Sequence, residues 1–229
     1  MSTATTTKLS KKTLEILKNF ASINSNILVN AGNVISTISP VKNVLAEAKV
    51  DETFDVQFGI WDLNKFLGTV SLFDDAEFEF HEKYAVISNS KGSSVKYFYC
   101  EPKLLTTPNK KIQMPKSVVN FKLTQKIFSE LQKAASVLQL PDIAVRSNDG
   151  RTELVALDKA DTTSNNYSVD LGETGNDAEF EFFFKVENLK LLPGDYKVEI
   201  TEKIVSKFTH ENMDLSYWIA LEPDSSYNG

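Results

Sequence analysis

The sequence predicts an α+β protein of two similar halves, each an antiparallel sheet carrying two helices. Three observations predict it. Patterned segments run in the same order twice: a long lysine-bearing helix, several strands, a short helix, then further strands. Fifteen Phe and seven Tyr promise a sizeable β-rich core. A stretch holding Pro102, Pro108 and Pro115, without sustained periodicity, separates the halves. The predicted layout is a flexible tail over 1–7, a first domain over 8–100, a linker over 101–117 and a second domain over 118–229.

The first helix is predicted over Leu9–Ile23, where Leu14, Leu17 and Ala21 with Ile16, Phe20 and Ile23 recur at three- and four-residue spacing. Ser10 suits its N-cap, although Thr13 stands where a capping box needs Glu or Gln. Asn26–Val29 and Val34–Ile38, split by Asn30-Ala31-Gly32-Asn33, predict a hairpin with Gly32 at positive φ. Val44–Val50 alternates as a strand with one solvated face, and Asp55–Ile60 follows as another. Trp61–Gly68 predicts a short helix closed by its glycine. Val70–Phe73, Glu77–Phe80, Ala85–Ser88 and Val95–Cys100 predict strands.

The second half repeats the order. Lys122–Leu140 predicts a helix with Leu123, Ile127, Leu131, Ala134 and Leu138 on one side, stopping before Pro141. Asp142–Val145 and Glu153–Leu157 flank Ser147-Asn148-Asp149-Gly150-Arg151, a strong hairpin signal. Tyr167–Leu171 and Glu179–Phe184 predict strands, and Val186–Leu192 a short helix ended by Pro193-Gly194. Tyr196–Ile200, Ile204–Phe208 and Leu215–Leu221 complete the strands.

Composition excludes several classes. No window approaches the roughly 18 apolar residues of a membrane span, and the polar start MSTATTTK predicts no secretory signal. Cys100 stands alone, which fits a reducing compartment. Phosphate-binding glycine motifs, a Walker sequence and a nucleophile elbow are all missing. His81 and His210 are isolated, so zinc spacing fails. The acidic runs Asp74-Asp75-Ala76-Glu77 and Glu173…Asp177…Glu179 read as solvated turns rather than cation sites, and Asp158–Asp161 lacks the glycine and glutamate of a calcium loop. The prediction is a protein that is no enzyme and carries no cofactor or metal.

Charge is where the sequence becomes informative. The windows 8–23 and 122–140 hold seven Lys against two Glu, whereas the whole chain carries −6, so the remainder carries −11. Lys8, Lys11, Lys12 and Lys18 stand against Glu15, and Lys122, Lys126 and Lys133 against Glu130. Spacing alone fits ordinary solvated helix faces. The other reading is two helices that present lysine to phosphate, because a flexible ammonium attracts the backbone without demanding fixed geometry. Only Arg146 and Arg151 are arginines, and no helix has the Arg/Asn/Gln cluster that reads base edges. Contact would therefore be independent of sequence and individually weak.

Particular residues then resemble the sliding clamps of T-even-type bacteriophages, the processivity factors of their DNA polymerases. They are Lys8-Leu9-Ser10, Leu17 through Asn24 (LKNFASIN), Asp62 through Gly68 (DLNKFLG) with Ser71-Leu72, Asn188-Leu189-Lys190 with Pro193 through Lys197 (PGDYK), and Ala220-Leu221-Glu222 with Asp224-Ser225. The resemblance runs from Lys8 to Ser225; 74–115 departs from the pattern and Ser2–Thr7 looks like an addition. It implies the DNA-clamp fold, closing into a homotrimeric ring around double-stranded DNA. It also implies a replicative polymerase as partner, an ATP-dependent clamp loader, a link to late viral transcription, no membrane, and work in the cytoplasm of an infected bacterial host. The DNA-facing residues it implies are Lys8, Lys11, Lys12, Lys18, Lys122, Lys126 and Lys133, with Lys65 and Lys190 on the short helices. A partner-peptide pocket is implied at Leu104, Leu105, Ile112, Met114, Tyr217, Ile219 and Pro223. The competing expectation is a non-enzymatic oligomeric structural protein of a virion, which has no reason to place lysine on the corresponding helix of both halves.

Overall fold

The computed structural model describes residues 6–108, 112–173, 178–202 and 205–229. By contact density the chain divides into two units, Met1–Lys111 with Met213–Leu215 and Ile112–Asn212 with Ser216–Gly229. Parts of four predicted features lie outside the described residues: the tail at 1–5, the linker at 109–111, Asp177 of the acidic run and Ile204 of a strand. No described helix is long and apolar enough to cross a membrane.

The first unit begins with β1 (Thr6–Lys8) and α1 (Lys11–Ile23). Then come β2 (Ile27–Val29), β3 (Gly32–Ile38), β4 (Val44–Phe54), β5 (Phe58–Ile60), α2 (Leu63–Val70), β6 (Glu77–Phe80), β7 (Tyr84–Ser88) and β8 (Ser94–Phe98). Strands β1, β6, β7 and β8 form one sheet in that order. The expected hairpin of β2 with β3 does not form: β2 pairs with β5, and β3 with β4. Burial sets this register, because Ile27 and Val29 go inward together with Phe58 and Ile60. Gly32 does take φ +114°, but it opens β3 instead of closing a turn.

Helix α2 begins and ends two residues later than expected. Asp62 is its N-cap, accepting from Lys65 N–H at 2.9 Å. Gly68 lies within it, because Val70 completes the apolar stripe of Leu63 and Phe66. The strand expected at Val70–Phe73 is therefore helix end and turn. Thr13 and Leu17 of α1 line the same internal space as Phe66 of α2, together with Ile35, Phe54 and Phe58. Both helices thus bury their apolar faces in one core layer and turn their polar faces away from it.

The second unit contains β9 (Ser117–Leu123), α3 (Gln125–Leu138), β10 (Asp142–Asn148), β11 (Arg151–Leu157), β12 (Tyr167–Glu173) and β13 (Glu179–Lys185). β14 (Tyr196–Thr201), β15 (Val205–His210), β16 (Leu215–Ala220) and β17 (Ser226–Asn228) follow. The order β12-β11-β10-β13-β17 makes one sheet, and β16-β15-β14-β9 run side by side in another. Asn148 pairs with Arg151 around Asp149 (φ 47°) and Gly150 (φ 75°), the positive-φ pair of a tight hairpin. Phe128 and Leu131 of α3 pack among Ile143, Val145, Leu154 and Phe184.

The second short helix shrinks to a single 3₁₀ turn, Val186–Asn188. Leu189, Leu191 and Leu192 are all buried, a spacing that one helical face does not satisfy. Tyrosine hydroxyls take over the backbone groups: Leu192 N–H donates to Tyr217 Oη at 3.1 Å, and Tyr196 Oη donates to the Leu192 carbonyl. The fold class holds with that change. The sequence reading also missed β1, β9 and β17; Thr6 and Thr7, expected in a disordered tail, pair with Glu79 and Phe78.

Both long helices are capped twice. Ser10 Oγ accepts from Thr13 N–H at 3.1 Å, and Thr124 Oγ1 from Ile127 N–H at 3.3 Å. Neither helix has an acid in its first turn, and each receives one from elsewhere in its unit. Glu52 on β4 is 8% exposed and accepts from Ser10 N–H and the Thr13 hydroxyl. Asp195, beside β14, accepts from Gln125 N–H at 2.9 Å. That bond, and then Lys122, holds the Asp195 carboxyl below the usual aspartate range.

Two outcomes follow. Glu52→Ala strands buried donors at the start of α1, so denaturant titration should show a loss of about 1–3 kcal/mol; an unchanged midpoint would remove Glu52 from the account. A depressed native pKa makes the Asp195 contribution complete above the unfolded value of about 3.9 and progressively lost as pH falls through the native value. The stability gap between parent and Asp195→Asn should therefore be full near neutrality and close in acid. A gap that persists at low pH would contradict this.

Candidate nucleic-acid interface

Burial on one side of each long helix decides which lysines reach solvent. In α1, Thr13, Ile16, Leu17, Phe20 and Ile23 are buried, leaving Lys11, Glu15, Lys18 and Ser22 in one exposed stripe. In α3, Phe128, Leu131 and Ala135 are buried, leaving Lys126, Glu130, Lys133 and Val137. The steps are identical, four, three and four residues, so each helix shows Lys–Glu–Lys along its outward side. Among the described residues, no carboxylate stands within ion-pair distance of Lys11, Lys18, Lys126 or Lys133.

Three other predicted lysines differ. Lys8 and Lys122 are not helical: they lie on β1 and β9, where an alternating strand carries them to its polar side. Lys8 Nζ pairs with Asp75 and with Glu77 at 3.4 Å. Lys122 Nζ pairs with Glu211 at 2.7 Å and with Asp195 at 3.3 Å. Hydrogen bonds to these carboxylates, from Asp75 and Glu211 first, raise both lysine pKa values. Each sits among two acids, so the local field is negative and a phosphate gains little there. Lys12 lies on α1 but leans to Asp51 at 3.3 Å and is half-buried. Lys65 is exposed on α2, and Lys190 is exposed beyond the 3₁₀ turn. Both arginines are engaged across β-strands, Arg146 with Glu153 at 3.3 Å and Arg151 with Asp170 at 2.6 Å.

The residues expected to receive a partner peptide separate by burial. Tyr217 and Ile219 are 0% exposed, and Leu105 is also buried. Tyr217 stacks edge-on to Tyr196 at 6.1 Å, a core role that removes it from any surface. Inward alternation of β16 does the same to Ile219. Leu104, Ile112 and Pro223 are exposed, and Met114 is half-exposed. Glu52 and Asp195 went unnoticed in the sequence. The available signal was a glutamate in the apolar phase of the alternating run Ala46, Ala48, Val50, Glu52, Phe54, where only a partnered acid is stable.

Two family models match the chain. "DNA polymerase processivity factor" covers residues 8–105, and "gp45 sliding clamp, C terminal" covers residues 120–223. The sliding clamp of Vibrio phage KVP40 is 34% identical over 220 residues, spanning 94% of this chain and 99% of that one. The sliding clamp of Enterobacteria phage T4 is 32% identical over 228 residues, spanning 96% and 99%. Among solved structures, proliferating cellular nuclear antigen from Entamoeba histolytica superposes with TM-score 0.66 at 13% identity, covering 96% of this chain and 99% of that one. The Helicobacter pylori beta clamp bound to a DNA ligase peptide gives TM-score 0.72 at 14% identity, covering 97% and 66%. At such identities these two speak for the fold alone.

Proposed function

The chain belongs to the phage sliding-clamp family of DNA polymerase processivity factors, and from that membership we propose that the Lys–Glu–Lys stripes of α1 and α3 are its DNA-facing surface. It is a sliding clamp, a non-enzymatic scaffold of replication. The observation that carries the assignment is the repetition: two helices in two units expose the same charge sequence at the same spacing. Lys11, Lys18, Lys126 and Lys133 are the principal contacts, and Lys65 and Lys190 secondary ones. Lys8, Lys12 and Lys122 serve chiefly as ion-pair partners. The clamp encircles duplex DNA as a homotrimer, is opened by an ATP-dependent loader and works in the cytoplasm of an infected bacterial host. A link to late viral transcription belongs to the same reading. The polymerase peptide is taken by the accessible members of its predicted set in the second unit, Ile112, Met114 and Pro223.

Free sheet edges support self-association. β8 and β12 are edge strands in their sheets. Phe98 on β8 is 65% exposed, with Lys96 Nζ 5.2 Å from its ring and 3.8 Å from that of Tyr84. An open edge carrying an exposed phenylalanine is an aggregation hazard unless another copy covers it.

Reversal of Lys11, Lys18, Lys126 and Lys133 to Glu should abolish polymerase stimulation while the oligomer persists; normal processivity would remove the stripes from the DNA face. Light scattering should give the parent a mass near three times the 25.6 kDa subunit. Phe98→Asp, at an exposed position, should leave circular dichroism unchanged and shift that mass towards one subunit. A folded variant that stays trimeric would acquit β8.

A further inference from the structure

The solvent side of α2 differs from both lysine stripes. Lys65 and Gly68 lie on α2, Trp61 stands just before its N-cap Asp62 and Leu72 just past its end, and all four are exposed. Trp61 is 59% exposed and Leu72 72%. Among the described residues, the Trp61 indole has no ring or hydrogen-bond partner, unlike Trp218, which lies under Lys207 Nζ at 5.4 Å. At Gly68 a Cβ would find nothing within 4 Å, so the surface there is open. Lys65 is the one cation of the stripe. Its neighbouring carboxylate, Asp62, is occupied by the backbone N–H of Lys65 itself. α1 and α2 are neighbours and bury into one core layer, so the exposed residues of both turn away from it. The second unit offers no equivalent, since its corresponding segment is a 3₁₀ turn followed by Pro193.

We propose that Trp61 and Lys65 form a contact for unpaired nucleotides, the indole stacking on a base and the ammonium meeting the adjoining phosphate. The proposal rests on the DNA-facing assignment of α1 and extends it. A duplex buries its base faces in its own stack and offers the indole only sugar and phosphate, for which lysine suffices. A single strand offers base faces, and an unpartnered aromatic beside a cation is the combination that binds them without regard to sequence. Charge complementarity and continuity with the α1 stripe favour nucleic acid over a protein partner.

The test uses the full-length Trp218→Phe protein, in which Trp61 is the sole indole, and a short oligothymidylate as probe. Saturable quenching of Trp61 emission, weakening with salt, is expected. Trp61→Ala should loosen oligothymidylate binding roughly tenfold, and Lys65→Ala should flatten its salt dependence. Low-salt affinity for a short linear duplex, which no ring retains by topology, should be unchanged by Trp61→Ala, whereas reversal of Lys11 and Lys18 should reduce it; that arm reports on the α1 assignment separately. Unquenched emission, or Trp61→Ala binding the oligonucleotide like the parent, would overturn the proposal. So would a Trp61→Ala protein that keeps oligonucleotide binding but loses polymerase stimulation, which would reassign the stripe to a protein partner.

Discussion

A carboxylate supplied from elsewhere in the fold holds the first turn of each long helix. The N-terminus of a helix carries roughly half a positive charge, and lysines there are unfavourable. α1 nevertheless starts with Lys11 and Lys12, and α3 places Lys126 second, with no acid in either first turn. Glu52 and Asp195 offset that cost. An acid within the helix would have capped it equally well but stood beside the lysines on the solvent side. Brought in from below, the carboxylate stabilises the terminus while the outward stripe keeps its charge. The buried environment of Glu52 also fixes the rotation of α1, because its oxygens reach both Ser10 and Thr13.

Rotation is what divides the seven lysines of two windows into four that stand in outward stripes and three that pair with acids. The sequence counts charge along the chain; the folded helix counts it around an axis. Lys8 and Lys122 fell inside windows that looked helical, yet each belongs to the strand that leads into a helix and sits among acids. Lys12 is on α1 but to one side of the outward stripe. A wheel drawn from the burial pattern of Ile16, Leu17 and Phe20 would have excluded it, since it lies between the outward stripe and the buried Thr13 and Ile16.

The same distinction explains which parts of the fold could be read beforehand. Long apolar periodicity named α1 and α3, and the Asp149-Gly150 pair named the β10–β11 hairpin, because each signal is local. β1, β9 and β17 were invisible: two are three residues long, and β9 straddles the supposed linker and helix start. The β2–β3 hairpin failed because Asn30 through Asn33 specify a turn but not its partners, and Phe58 and Ile60 supplied the better burial. Tyr217 and Ile219 were assigned to a pocket from likeness alone. Their alternation with Ser216 and Trp218 marked them as an inward row on β16. Tyr217 then proved to satisfy Leu192 N–H, the tertiary contact that replaces the fourth helix.

On the proposed DNA-facing assignment, the glutamate inside each stripe has a physical consequence for movement along DNA. Glu15 and Glu130 reduce each stripe from two net charges to one, and lysine rather than arginine keeps each contact loose and hydrated. The two arginines, whose planar forks would grip phosphate bidentately, are spent on Glu153 and Asp170 instead. Affinity grows steeply with the number of phosphates neutralised, so a few single charges per subunit keep residence on any one register brief. Such weakness would defeat a protein that held DNA by affinity. In a closed ring the topology retains the DNA, so weak contacts cost no residence and lower the barrier between neighbouring registers.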